Sequence, residues 1–246
     1  HSKSPVIHAA AYRELGFDWE YGRQELQAEE LQEFLASLGQ EWRGLSLTMP
    51  LKVEAHRLAN VVDPVAQESG VVNTLLRVTG IGEHSAWAGF NTEVGGLATA
   101  MCREGLDATR TLVLGAGATA VSAILAARRL GATDITVFAR RPEAAKVLVD
   151  RFDGTSEPGG EPVQVSTAHL FSDLSPGNRL SERARYAAST LIISTLPGRS
   201  IDWNQVVPVA LAPTFDVAYD PWPSMLAGLT EASGVPVYSG AGMLVE

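Results

Sequence analysis

The residues able to do chemistry in this chain stand mostly where one element should end and the next begin. Ser2 and Ser4 flank Lys3 ahead of a helical stretch, and Thr48 and Lys52 bracket a strand-to-helix junction. Asn73 opens a strand, and Asn91-Thr92-Glu93 leads into another helix. Lysine and glutamate can hold and pass a proton, and hydroxyls and amides can orient a small polar ligand. Each position also has a plainer reading. Ser4 before Pro5 could cap a helix, Thr48 could cap a helix that contains Pro50, and Lys52 could be a solvated charge. Asn91 or Thr92 could cap the helix predicted over 93–105. Taken singly, none of them decides the function.

The strongest local signal lies in the middle of the chain. Thr111-Leu112-Val113-Leu114 reads as a strand, Gly115-Ala116-Gly117-Ala118-Thr119-Ala120 as a tight turn, and an Ala-rich helix follows to about Leu130. This is G-x-G-x-x-A in the strand-turn-helix context that a dinucleotide site requires. Gly115 would allow the turn, Gly117 the close approach of a pyrophosphate, and Ala120 tight helix packing. The helix N-terminus would turn its free N–H groups and positive dipole end toward the phosphates. The next strand, Asp134–Phe138, runs into Ala139-Arg140-Arg141. An NAD site carries an acid near that strand end for the ribose 2′-hydroxyl. Two guanidiniums stand there instead, and a planar fork suits a 2′-phosphate, which favours NADP. The plainer alternative is that both arginines start a solvated helix at Pro142.

The elements that must position these groups alternate between helix and strand, which makes an α/β chain. Helices are predicted over 6–15, closed by Gly16, and over 28–38, with Leu31, Phe34, Leu35 and Leu38 on one face. A strand is predicted over 42–48, then a helix from Pro50 to about Ala59, then strands over 71–79 and 85–90 joined by a turn around Gly80 and Gly82. Later, 153–162 reads as a turn-rich loop and Thr190–Ser194 as a buried parallel strand followed by Thr195-Leu196-Pro197-Gly198. Loops at such strand ends line the ligand crevice of an open α/β sheet. Segments 213–219 and 235–238 read as further strands.

Composition excludes several classes. Over 246 residues, 46% hydrophobic and 19% charged is too apolar for disorder. A net charge of −9 argues against a general nucleic-acid or anionic-membrane binder. A lone Cys102 forms no intrachain disulfide, so a reducing cytoplasmic location is expected. Nothing approaches a membrane span, and the polar start does not read as a signal peptide. The five histidines, His1, His8, His56, His84 and His169, lack metal-ligand spacing, and no nucleophile elbow or Walker loop occurs. No metal is expected.

In order and spacing, the chain resembles the shikimate dehydrogenase family over essentially its whole length. The matching stretches are His1–Pro5, Thr48-Met49-Pro50-Leu51-Lys52, Val72-Asn73-Thr74-Leu75 and Gly89–Gly96. The glycine turn, Arg140, Asp216-Val217-Ala218-Tyr219-Asp220-Pro221 and Gly240–Val245 complete the match. The resemblance implies an α/β substrate-binding domain over 1–92. A linker helix and a Rossmann-like, doubly wound parallel-sheet NADP domain follow over 93–246, with a cleft between the two domains. It implies reduction of 3-dehydroshikimate to shikimate with NADPH, Lys52 and Glu93 being catalytic. Ser2 and Ser4 would hold the substrate carboxylate, and Thr48, Asn73 and Tyr219 its other groups, with Lys52 and Glu93 also in contact. Gly115, Ala116, Gly117, Ala118 and Thr119 would wrap the pyrophosphate, Arg140 and Arg141 would take the 2′-phosphate, and Ala139 beside them would also belong to the cofactor site. Thr195, Val217, Gly240 and Met243 would line the rest of the cofactor site. The partner implied is a small molecule, with no nucleic acid or membrane, and nothing in the sequence sets an oligomeric state.

Three departures from the family pattern stand out. The family's catalytic Asp is Glu93 here, one methylene longer, and an Asn of the family's substrate strand is Ser46. The sequence opens where the family has completed its first strand and ends at Glu246, one residue before a substrate-binding Gln, without the closing helices. A longer native chain is therefore expected. Two rival readings are a quinate/shikimate dehydrogenase using NAD, against which Arg140 counts, and a non-catalytic dinucleotide- or metabolite-binding module. Lys52, Asn73 and both serines count against the second rival.

Overall fold

The computed structural model describes residues 2–78, 86–168, 184, 186–197 and 211–245. They form an α/β protein in two compact units, one ending at Thr92 and one running from Glu93 to Leu244. The predicted turn around Gly80 and Gly82, together with His1, His84, His169 and Gly198, lies outside the described residues.

In the first unit, α1 (Ser4–Leu15) starts two residues earlier than the pattern predicts, with Pro5 in its first turn. Lys3 occupies the N-cap without a capping side chain, so Ser4 is a helical residue and not the cap. Gly16 closes the helix in the left-handed conformation, and the Phe17 N–H returns to the Tyr12 carbonyl at 2.8 Å. The helix predicted over 28–38 is a 3₁₀ turn at Ala28–Glu30 leading into α2 (Leu31–Ser37), which buries Leu31 and Leu35.

The sheet of this unit comprises β1 (Gly44–Ser46), β2 (Val61–Val62), β3 (Thr74–Val78) and β4 (Ala86–Phe90), in the order β1-β3-β4-β2. β4 pairs parallel with β2, and the other pairings are antiparallel. The expected helix from Pro50 begins only at Lys52, as α3 (Lys52–Leu58). Pro50 stands before it in a turn with a cis Met49–Pro50 peptide, which the Leu51 N–H closes on the Thr48 carbonyl at 2.8 Å. Thr48 therefore serves this turn through its backbone and does not cap the helix, whose N-cap is Leu51. No periodicity announced β2 or α4 (Pro64–Ser69), which Asp63 caps by accepting the Ala66 N–H at 2.9 Å. Leu31, Leu35, Leu47, Leu51, Val72 and Leu75 belong to one buried cluster of this unit.

The second unit opens with α5 (Glu93–Arg103) and continues with β5 (Arg110–Leu114), α6 (Ala118–Arg129), β6 (Asp134–Phe138) and α7 (Pro142–Phe152). After these come β7 (Gln164–Ala168), β8 (Leu191–Ser194), β9 (Thr214–Asp216), α8 (Met225–Ala232) and β10 (Val237–Ser239). All six strands are parallel, in the order β10-β9-β8-β5-β6-β7. Two three-strand halves thus run outward from the β5–β8 pair, which makes that pair the point where the winding reverses. α6 is buried on all sides from Ala120 to Arg128, which its run of small residues permits. β9 is shorter than predicted, because beyond Asp216 the chain leaves the ladder and turns toward the N-cap of α8 at Ser224.

Candidate functional site

The cofactor candidates gather at one edge of the parallel sheet. In such a sheet all strands end on the same side, so the residues just past β5, β6, β8, β9 and β10 share that edge. Gly115 follows β5 with φ +115°, a conformation L side chains rarely adopt. Its N–H is bonded to the Phe138 carbonyl at the end of β6 at 2.8 Å, and a Cβ there would run into Thr195 Oγ1. Thr195 follows β8, and both its N–H and its hydroxyl donate to the Leu114 carbonyl, at 2.8 and 2.9 Å.

Gly117 is the N-cap of α6, no side chain caps that helix, and a Cβ at Gly117 would meet nothing within 4 Å. Open space beside an uncapped helix N-terminus suits a pyrophosphate. Ala116, Ala118 and Thr119 flank it, while Ala120 is fully buried, as close packing requires. Ala139 is buried, and Arg140 and Arg141 are exposed. Arg141 is the N-cap of α7 but places no side-chain bond there.

Val217 follows β9 and donates its N–H to the Ser194 carbonyl at 2.9 Å. Gly240 follows β10, and a Cβ on it would collide with the Val217 carbonyl, so the two backbones touch only because this residue is glycine. Met243 lies against Gly96 of α5, where a Cβ would meet the Met243 carbonyl at 2.9 Å. Tyr219 is half-buried in the segment after β9. Glu93, the first residue of α5, accepts a hydrogen bond at Oε2 from Ser122 Oγ in α6 at 3.2 Å.

In the first unit, Ser2 is exposed and Ser4 half-buried, and the Ser4 N–H donates to Ser2 Oγ at 3.2 Å. Thr48 and Ser46 are exposed. Lys52 is buried, with 6% of its surface accessible, which rules out the solvated-charge reading. Its carbonyl accepts the Val72 N–H at 3.0 Å. Next in the chain, Asn73 links two strands through its backbone. Its carbonyl accepts the Leu47 N–H at 2.7 Å and its N–H donates to the Phe90 carbonyl at 3.0 Å. Its side chain is clamped to Thr92. Asn91 is held in turn by Asp63 Oδ1 through its N–H at 3.1 Å, and its Nδ2 donates to Ser69 Oγ at 2.9 Å. Asn91 therefore ties α4 to the end of β4 through these bonds.

Four contributors escaped the sequence reading. Arg23 donates to the Ser2 carbonyl at 2.9 Å, a contact across 21 positions that no local pattern foreshadows. Asp63 had a signal, since Asp-Pro before an apolar residue marks a helix start. Ser122 had a fainter one, a hydroxyl inside an Ala-rich helix. Asp216 ends β9, in one of the stretches that carry the family resemblance. It is 1% exposed and accepts from the Ala218 N–H at 3.1 Å and from the Ser224 hydroxyl. Burial pushes its carboxyl above the ordinary Asp value, against the pull of Ser224, the Ala218 N–H and Ser194.

The second unit, with its reversal point at a glycine turn, has the architecture of a Rossmann-like dinucleotide-binding domain. The family model for the shikimate dehydrogenase substrate binding domain matches residues 1–75 of the first unit. A shikimate dehydrogenase (NADP(+)) of Syntrophobacter fumaroxidans is 41% identical over 154 residues, 62% of this chain, and the match spans 51% of that relative, about half its length. The enzyme of the same name from Anaeromyxobacter dehalogenans strain 2CP-1 is 32% identical over 253 residues, the whole of this chain and 83% of its own. Among solved structures, Mycobacterium tuberculosis shikimate dehydrogenase superposes with a TM-score of 0.82 at 36% identity, covering 99% of this chain and 85% of that one. The Thermus thermophilus shikimate 5-dehydrogenase in complex with NADP(H) and shikimate gives a TM-score of 0.75 at 26% identity, over 99% and 84% of the two chains. This chain belongs to the shikimate dehydrogenase family, a family of oxidoreductases.

Proposed function

We propose that this chain interconverts 3-dehydroshikimate and shikimate with NADP as the hydride carrier. The observation that carries the cofactor half is the edge of the parallel sheet. The glycine turn is bonded to the end of β6, and two residues beyond that bond stands exposed Arg140 where an NAD site would have an acid. The open space at Gly117 and the uncapped start of α6 fit a pyrophosphate. Membership of the family, with relatives named for NADP(+), supports the substrate half.

When bound, NADP(H) supplies or accepts the hydride at its nicotinamide ring. The chain's own residues bind, orient and handle the proton. Ser2 and Ser4 offer uncharged hydroxyls to the substrate carboxylate, so they fix it without competing for the proton. Thr48, Asn73 and Tyr219 hold its other polar groups. In the reductive direction Lys52 gives a proton to the oxygen of the reacting carbonyl, and in the oxidative direction it takes the proton back. Lys52 is buried, which keeps most bulk water from its side chain. Glu93 offers the second acid–base group of the reaction.

An absorbance assay at the NADPH band tests this reading, with shikimate and quinate each offered alongside NADP⁺ and NAD⁺. Reduction of NADP⁺ by shikimate is the expected result. Turnover with quinate and NAD⁺ alone would assign the chain to the quinate-using branch, and no turnover with any pair would leave a binding module.

A further inference from the structure

Ser122 is an unusual residue for its place. It is fully buried in α6, four residues after Ala118, where the neighbouring side chains are Ala, Val and Ile. Serine is neutral to unfavourable inside a helix, and a buried hydroxyl costs stability unless it is bonded. This one donates to Glu93 Oε2, 29 positions away in α5. Aspartate at this position would draw the carboxylate back by one carbon–carbon bond, about 1.5 Å, and open the 3.2 Å contact beyond hydrogen-bonding range. The length of Glu93 and the presence of Ser122 are therefore matched. The same helix starts at the glycine turn, so the group that holds the carboxylate and the cradle at Gly117 share one rigid element.

We infer that Ser122 is a positioning residue for the reaction, its hydroxyl fixing the Glu93 carboxylate so that the longer side chain can do the work of the family's aspartate. This rests on the proposed function, in which Glu93 contacts the substrate. Ser122 itself touches no reacting atom, so its removal acts on turnover through Glu93 and spares the binding of NADP⁺.

The experiment is a double-substitution cycle of Ser122→Ala and Glu93→Asp, read by steady-state shikimate oxidation with NADP⁺ and, separately, by urea unfolding. Ser122→Ala alone is expected to lower kcat roughly ten-fold, the size of a hydrogen bond to a charged group. The KM for NADP⁺ stays within about two-fold. On the Glu93→Asp background the same change alters kcat by less than about two-fold, because the shorter carboxylate cannot reach the hydroxyl. An equal loss on both backgrounds, or no loss in the parent, overturns the inference, since either makes Ser122 a packing residue only. Unfolding gives a reading independent of substrate, with Ser122→Ala expected to destabilise the parent more than the Glu93→Asp variant. A parent chain inert toward shikimate would sink the proposed function but not the pairing. The unfolding cycle then decides the pairing alone, and zero coupling there overturns it.

Discussion

Asn73 and Thr92 hold each other through two hydrogen bonds. Asn73 Nδ2 donates to Thr92 Oγ1 at 2.8 Å, and Asn73 Oδ1 accepts the Thr92 N–H at 3.0 Å. Because Oδ1 faces a backbone N–H, the amide can sit only one way round. Oδ1 also accepts from Thr74 Oγ1 at 3.3 Å, so one Nδ2 hydrogen is what remains to meet a ligand. The clamp links the start of β3 to the segment that leads into α5.

This division of labour separates two variants. Asn73→Asp keeps acceptors for Thr92 and Thr74 but replaces the remaining donor with a charged oxygen. Its urea midpoint is expected to stay close to that of the parent, while the KM for shikimate rises roughly ten-fold or more through loss of the donor and repulsion of a carboxylate substrate. Asn73→Ala loses the clamp as well and is expected to cost about 1–2 kcal/mol of stability. Equal KM values for the parent and the Asp variant would remove Asn73 from the substrate site.

Arg140→Ala should weaken NADP⁺ roughly ten- to hundred-fold, the range of a charge-assisted hydrogen bond, and leave NAD⁺ nearly untouched. KM values for the two cofactors measured side by side check this. Equal losses would mean that Arg140 supports the end of β6 and does not read the 2′-phosphate. Unchanged values for both would return it to the solvated face of α7.

What could be read from the sequence was whatever is decided within a few residues. The glycine turn, the helix after it and the arginines at the end of β6 announce themselves, because φ, packing size and charge are local demands. Strand β7 did not, since Gln164-Val165-Ser166-Thr167-Ala168 carries too few apolar residues to show a period and pairs with β6 alone at the sheet edge. The two-residue β2 is defined by its partner β4 and by no pattern of its own. Pro50 suggested a helix start, yet the turn that the Thr48 carbonyl closes delays it to Lys52. Among candidate ligands, types and positions were legible, but what each side chain is already bonded to was not. Asn73 with Thr92 and Glu93 with Ser122 meet across 19 and 29 positions, distances that only packing sets.

Gly115→Ala tests the glycine turn without any ligand. The new methyl meets two obstacles, the φ of +115° and Thr195 Oγ1. Strain of this kind costs about 1–3 kcal/mol, which urea unfolding can measure. Thr195→Ala removes the second obstacle and keeps the Thr195 N–H bond to Leu114 at 2.8 Å. The double variant is therefore expected to recover part of the loss but not all of it, because the backbone strain stays. Strictly additive effects would show that the methyl and the hydroxyl never meet.

Asp216 makes the stability of the second unit depend on pH. Its carbonyl accepts the Gly240 N–H at 2.6 Å, and its carboxyl accepts the Ala218 N–H and the Ser224 hydroxyl that caps α8. One side chain thus ties the Val217–Ala218 segment to the start of a helix. Burial raises its folded value above the ordinary 3.8, with Ser224, the Ala218 N–H and Ser194 pulling the other way. Below 3.8 the carboxyl is protonated in both folded and unfolded chains and makes no difference to stability. Between 3.8 and the raised folded value, the folded chain holds a proton that the unfolded chain has released, so this group's contribution falls as pH rises. Above the folded value the penalty is complete and constant. Asp216→Asn has no proton to lose. Its Oδ1 can still accept from Ala218, and its Nδ2 can donate to the Ser224 oxygen. Urea unfolding of parent and variant from about pH 3 to about pH 8 should therefore show the variant gaining on the parent as pH rises through this window and then holding a steady lead. A difference that stays flat across the range would mean that Asp216 is ionised in the folded chain at its ordinary value, with Ser224, the Ala218 N–H and Ser194 fully offsetting its burial.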